Sequence, residues 1–159
     1  MSPFLFIFVS MKTGTNGLNL IKEFEGFYSK PYLDVVNVPT IGYGTTYYLP
    51  NKNKVTLKDA PITEQRASEM LIATLSIYEN DVKRLVKSKL NQNQFDALVS
   101  FTYNLGGANL GKSTLLKKVN ANPNDPTIRA EFDKWINAGG KPYKGLIRRR
   151  KAEADLYFR

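Results

Sequence analysis

The chain has 159 residues, 42% of them apolar, and a formal net charge of +9. That length suits one domain with a real core, and the charge points to an anionic partner: nucleic acid, a membrane surface or an acidic polymer. Cysteine and histidine are both absent, which excludes disulfides, thiol chemistry, Ser-His-Asp and Cys-His catalysis and most zinc sites, and leaves acid/base work to carboxylates, Lys and Tyr.

Residues 3–9 read P-F-L-F-I-F-V, an apolar run far too short to span a bilayer. No basic residue precedes it and no small-residue cleavage site follows, which argues against a secretory signal. It is expected to pack on the domain or to form an extension ahead of Met11, with a short membrane-directing element as the alternative. Asn16 is a candidate cap for a first helix, in which Leu18, Leu20, Ile21 and Phe24 keep helical spacing until Gly26 stops it. Over residues 28–57, β-branched and aromatic residues broken by Pro31, Asn37, Pro39, Pro50 and Asn51 predict strands. Ile41, Tyr43, Thr45, Tyr47 and Leu49 would share one face of an alternating strand. The other face carries Gly42 and Gly44, which would leave a bare lane beside Thr40 for a backbone or a ligand.

Residues 62–86 carry the longest helical pattern, opened by Thr63-Glu64 and striped by Met70, Leu71, Thr74, Leu75, Tyr78, Val82 and Leu85. Shorter helices follow. One covers residues 91–105 and stops at Gly106-Gly107, and Ser113 caps the next over 115–119. A third starts at Asp125-Pro126, holds Phe132, Trp135 and Ile136, and closes at Gly139-Gly140; the last spans 146–158. Helix, small sheet, long helix and helical bundle in that order make an α+β arrangement.

Three motifs compete for function. Residues 106–113 read G-G-A-N-L-G-K-S, a full match to the phosphate-cradling P-loop. In that reading Lys112 reaches the phosphates and Ser113 the magnesium. The frame is missing, because the preceding segment has helical spacing and no later strand ends in an Asp. The alternative is a helix stop at Gly106-Gly107 and a helix start at Ser113. The basic run Arg148 to Lys151 reads as a solvated face or a source of ion pairs, and no groove-reading module for nucleic acid accompanies it. The third motif is the stretch E-G-F-Y-S-K-P-Y-L-D-V-V-N-V-P-T, which spaces Glu25, Asp34 and Thr40 around turns. Two acids brought together by a short turn can protonate a leaving group and polarise a water. Glu25 in a helix's last turn feels the negative end of the helix dipole, which suits a general acid. Asp34, at a more open turn, would stay ionised and activate water with help from the Thr40 hydroxyl.

Glu, eight residues, Asp, five residues, Thr, followed by I-G-Y-G, resembles the active-site signature of the phage-type lysozymes, family 24 of the glycoside hydrolases. The similarity continues through N-Q-F-D-A-L at 93–98, S-T-L-L at 113–116 and G-L-I-R-R-R-K-A-E at 145–153. It implies a lysozyme-like α+β fold, with a small lobe holding an antiparallel sheet joined by a long helix to a helical C-terminal lobe. The corresponding division is an apolar extension at 1–16 and one catalytic domain at 17–159, made of a sheet lobe at 17–62, a connecting helix at 63–86 and a helical lobe at 87–159. The resemblance further implies an endolysin that cuts the β-1,4 bond between N-acetylmuramic acid and N-acetylglucosamine in peptidoglycan. Glu25 would be the acid, Asp34 and Thr40 would activate and position water, and the anomeric carbon would be inverted. No cofactor or metal is expected. The expected partner is peptidoglycan, without nucleic acid or stable membrane insertion, for a monomer kept in the host cytoplasm until release to the periplasmic wall. The chain departs from the pattern at Thr45, where many members carry His. A lysozyme fold that has lost its activity, and serves binding or structure, is the other reading; intact Glu25, Asp34 and Thr40 speak against it.

Overall fold

The computed structural model describes residues 2–159; residue 1, the first of the expected 1–16 segment, lies outside them. Ser2 accepts a hydrogen bond from the Leu5 amide at 3.1 Å and opens helix α1, Pro3–Ser10. Phe8 is buried with its ring edge-on to Phe95 at 6.3 Å, and Phe4 stacks on Phe8 at 5.9 Å, so the apolar run packs on the protein. Leu5, Ile7 and Val9 stay exposed. No helix among the described residues is long and apolar enough to cross a membrane.

Helix α2 covers Thr15–Glu25. Asn16 does not cap it: its side chain donates to Asn93, 3.2 Å away. The buried Asp96 carboxylate supplies the acceptors instead, taking the Gly14 amide at 3.0 Å and the Gly17 amide at 3.1 Å. A long-range acid thus satisfies amide donors that a helix start leaves without partners. Gly17 allows the approach, because a Cβ there would lie 2.7 Å from Asp96 Cβ. Gly26, with φ +73°, ends the helix as expected, its amide bonding the Lys22 carbonyl at 2.9 Å.

Strands β1, Tyr28–Leu33, and β2, Pro39–Gly42, form an antiparallel hairpin in which Tyr32 faces Thr40 and Leu33 faces Pro39. The long alternating strand expected past residue 40 does not form. β2 ends at Gly42, whose φ of +66° turns the chain, and Ile41 and Thr45 then exchange two backbone hydrogen bonds of 2.9 Å. Gly42 is also no ligand lane. A Cβ there would meet Ala67 Cβ at 3.1 Å and Ile62 Cδ1 at 3.4 Å, so the missing side chain admits a helix. The short strands β3, Tyr47–Tyr48, and β4, Asn53–Lys54, make a second hairpin.

Helix α3, Glu64–Leu85, starts where Thr63 Oγ1 accepts the Arg66 amide at 3.1 Å and buries Ala67, Met70, Leu71, Leu75 and Val82. Helix α4, Gln92–Leu105, opens with a capping box in which Asn91 and Gln94 satisfy each other's backbone. The P-loop reading fails here. Residues Gly107–Lys112 are helix α5, and Ser113 caps helix α6, Thr114–Ala121, through the Leu116 amide at 3.0 Å. Helix α7, Ile128–Asp133, is shorter than expected. Residues 137–142 instead form a hairpin of β5, Asn137–Ala138, and β6, Lys141–Pro142. Its two-residue loop, Gly139-Gly140, has φ of +60° and +79°, a turn that glycine enters without steric cost. Helix α8, Lys144–Tyr157, closes the chain and packs along α4.

These elements gather into two compact units: one holds the chain up to Leu20 together with Ile77–Arg159, the other Ile21–Ser76. In the second, Ile41, Val55 and Met70 form a core with Tyr48 and Ile62 against it. In the first, Phe101, Phe132, Trp135 and Tyr157 form a chain of edge-on rings with centroids 5.6–5.9 Å apart. The run at 148–151 is half buried rather than a solvated face. Arg150 is sealed over the Phe101 ring, 5.2 Å from its centroid, and Arg149 donates to the Ser100 carbonyl at 3.3 Å.

Candidate active site

Glu25, Asp34 and Thr40 all lie in the unit of Ile21–Ser76. Glu25 is the last residue of α2, half-buried, with the chain reversing at Gly26 directly behind it. Asp34 opens the loop between β1 and β2. Its Oδ1 accepts the amides of Val36 and Val38, both at 2.9 Å, and its own amide bonds the Val38 carbonyl at 3.0 Å. Asn37 makes the loop possible by taking a left-handed φ of +64°, which Asn tolerates better than most residues. One carboxylate oxygen is therefore locked to the backbone, and Oδ2 accepts no hydrogen bond among the described residues.

Thr40 is buried in β2, and its hydroxyl donates to the Val38 carbonyl at 2.8 Å. With the proton committed, the oxygen is left to accept from elsewhere. The backbone places Tyr32 opposite Thr40. The Tyr32 hydroxyl is held above its ordinary pKa by desolvation first, then by Tyr28, and then by the negative charges of Glu25 and Asp34. Both carboxylates therefore act on one group, and that group is the strand partner of Thr40. The hairpin sets Asp34 in its loop and Thr40 on its second strand, and Glu25, fifteen positions before Thr40, ends the helix that leads into it.

Sequence reasoning missed Tyr32 and the tyrosines that brace this unit. Tyr43 donates to Glu64 at 2.6 Å, and burial together with that bond pushes its hydroxyl up to about 12. Tyr48 donates to Asp59 at 2.7 Å and is likewise pushed up to about 12, by burial first. Each bond pins a turn or a helix start, and alternating tyrosines beside distant acids gave only a faint signal of it. Thr45 is 2% exposed, and its Oγ1 has no hydrogen-bond partner among the described residues. Among the described residues, no group of three or more His, Cys, Asp or Glu is placed to hold a metal. The P-loop-like string lines a separate concavity of about 310 Å³ with Lys112, Ser113, Glu131, Lys134 and Trp135, but its helical backbone cannot wrap a phosphate.

The family model for phage lysozyme matches residues 22–153. The chain belongs to the phage lysozyme family. It is 35% identical to the endolysin of Salmonella phage P22 across 91% of this chain and 97% of that protein. It is 40% identical to the endolysin of Bacillus phage B103 across 93% of this chain. The chain spans about half the length of the B103 and PZA endolysins that it matches. Among solved structures, the endolysin from Escherichia coli O157:H7 phage FAHEc1 superposes with a TM-score of 0.84 at 36% identity, covering 93% of this chain and 94% of that one. The muramidase domain of SpmX from Asticaccaulis excentricus superposes at 0.77 with 32% identity, covering 93% and 98%. The α+β lysozyme fold expected from the motifs is therefore the fold observed.

Proposed function

We propose that this phage lysozyme family member is a muramidase that hydrolyses the β-1,4 bond between N-acetylmuramic acid and N-acetylglucosamine in peptidoglycan and so lyses the host cell. The observation that carries the reading is that Glu25 ends the helix leading into the β1–β2 hairpin whose loop Asp34 opens and whose second strand holds Thr40, with the charges of both acids reaching Tyr32, the strand partner of Thr40. Glu25 is the general acid that protonates the glycosidic oxygen as the bond to the anomeric carbon breaks. Asp34, held through Oδ1, turns Oδ2 to a water and takes its proton as the water attacks. The Thr40 oxygen accepts the water's other hydrogen, because its own is spent on Val38. Attack from the face opposite the leaving group inverts the anomeric carbon and requires carboxylates far enough apart to admit water. The charge of +9 favours approach to an anionic wall. In this reading the enzyme works as a monomer, stays in the host cytoplasm until release, and meets its substrate in the periplasm.

Clearing of permeabilised Gram-negative cells tests the reading. Wild type clears them, and Glu25→Gln, nearly isosteric and folded, does not. If both clear alike, or neither does, the assignment of Glu25 is wrong. Proton NMR of the first reducing sugar released gives the stereochemistry: the α-anomer appears first if the bond is inverted.

A further inference from the structure

On the premise of that reading, we propose that the stacked rings of Tyr28 and Tyr32 are a platform for one N-acetylhexosamine ring of the glycan, beside the bond that is cut. The two rings lie with centroids 4.1 Å apart and planes inclined by 31°. A shift of strand register between positions 28 and 32 accompanies the stack. Tyr28 remains 46% exposed although it is stacked on a second ring. Its edge approaches the backbone just past Glu25, since a Cβ at Gly26 would sit 3.5 Å from Tyr28 Cε2. Tyr32 in turn faces Thr40 across the hairpin. The pair thus runs along β1 from the Gly26 turn that follows Glu25 to the strand partner of Thr40.

The chemistry fits a pyranose. A β-linked sugar presents a patch of C–H groups on each face and hydroxyls around its rim, and a tyrosine presents an apolar face and a polar tip. Tyrosine also gives large contact area with only two side-chain torsions to freeze. Here the pair is stacked in advance, so binding spends little on ordering it. An acyl chain would suit the patch poorly, because the phenol tips are polar and the negative charges of Glu25 and Asp34 reach Tyr32.

The test uses kinetics on soluble wall fragments and sugar proton NMR with a β-1,4-linked N-acetylglucosamine tetramer. Tyr28→Ala should raise KM about three- to ten-fold, the size of one lost aromatic contact, with kcat within about two-fold. Tyr28→Phe should keep KM within about two-fold, and Tyr28→Leu, which retains bulk without a ring, should behave like Tyr28→Ala. In the Glu25→Gln background, which binds without cutting, sugar C–H signals should move upfield under the ring current and lose that shift with Tyr28→Ala. A fold defect would lower thermal stability without selecting ring from bulk. Wild-type KM and unchanged sugar shifts in Tyr28→Ala, with wild type lytic, overturn the platform alone. A wild type that neither lyses cells nor binds the tetramer overturns the muramidase reading as well.

Discussion

In the unit formed by Ile21–Ser76, Glu25 and Asp34 stay half-buried at the ends of a helix and a strand, whereas in the other unit Asp96 and Glu153 are sealed from water. Burial pushes both sealed carboxyls above their usual range, and surrounding donors oppose it: the Gly14 and Gly17 amides with Gln92 at Asp96, and Arg150, Arg149 and Ser100 at Glu153. Arg150 Nε lies 3.0 Å from Glu153 Oε1, within ion-pair reach but outside hydrogen-bond geometry, while Ser100 donates to Glu153 Oε2 at 2.6 Å. A desolvated carboxylate survives only when partners enclose it, and enclosure removes it from any substrate. The half-buried pair keeps solvent access, and Asp34 does so with one oxygen held by two backbone amides. Acids of one chemical kind thus hold helices together in one unit and, under the proposed function, serve proton transfer in the other.

Four substitutions sharpen or break this contrast. Glu25→Gln should lower the lytic rate by about 10²- to 10⁴-fold, the worth of a positioned acid, and leave stability within about 0.5 kcal/mol. If it destabilises instead, Glu25 belongs with the structural acids. Glu153→Ala leaves Arg150 buried without its counter-ion and should cost about 3–5 kcal/mol in urea unfolding, with activity per folded molecule retained. A loss below about 1 kcal/mol would mean that the enclosure matters less than the packing around it.

Tyr43→Phe removes a hydrogen bond to Glu64 and should cost about 1.5 kcal/mol near neutral pH. Its pH dependence has a definite sign. The Tyr43 hydroxyl titrates at about 12 when folded and near 10 when unfolded, so its contribution is complete below pH 10 and is lost as pH rises towards 12. The variant should therefore lose less stability than wild type over that alkaline range, read as denaturation midpoints at several pH values. The smallest effect belongs to Thr45→Val. Deleting a buried hydroxyl that has no partner should change stability by less than about 1 kcal/mol, in the favourable direction. A loss well beyond that by calorimetry would point to a partner for Thr45 Oγ1.

Legibility differed by element. The α3 stripe, the Ser113 cap and the Gly106 stop were readable because periodicity and capping act within a few residues. The segment after Thr40 was misread because alternation alone cannot register a left-handed glycine in the middle of a pattern, and Gly42 breaks the strand there. Trp135 and Ile136 kept helical spacing yet lie beyond the end of α7, since the Gly139-Gly140 turn draws the chain into a hairpin. Asn16 had the right chemistry for a cap and lost the position to Asp96, eighty residues downstream.

The order of residues, by itself, determined the chemistry that was possible and the spacing of Glu25, Asp34 and Thr40, because composition and short-range turn signals are local properties. Only the tertiary structure decided that Tyr32 pairs with Thr40, that Tyr28 stacks on it, and that Asp34 commits one oxygen to two backbone amides. Those facts depend on the register of β1 against β2 and on burial, which arise when distant segments exclude water together.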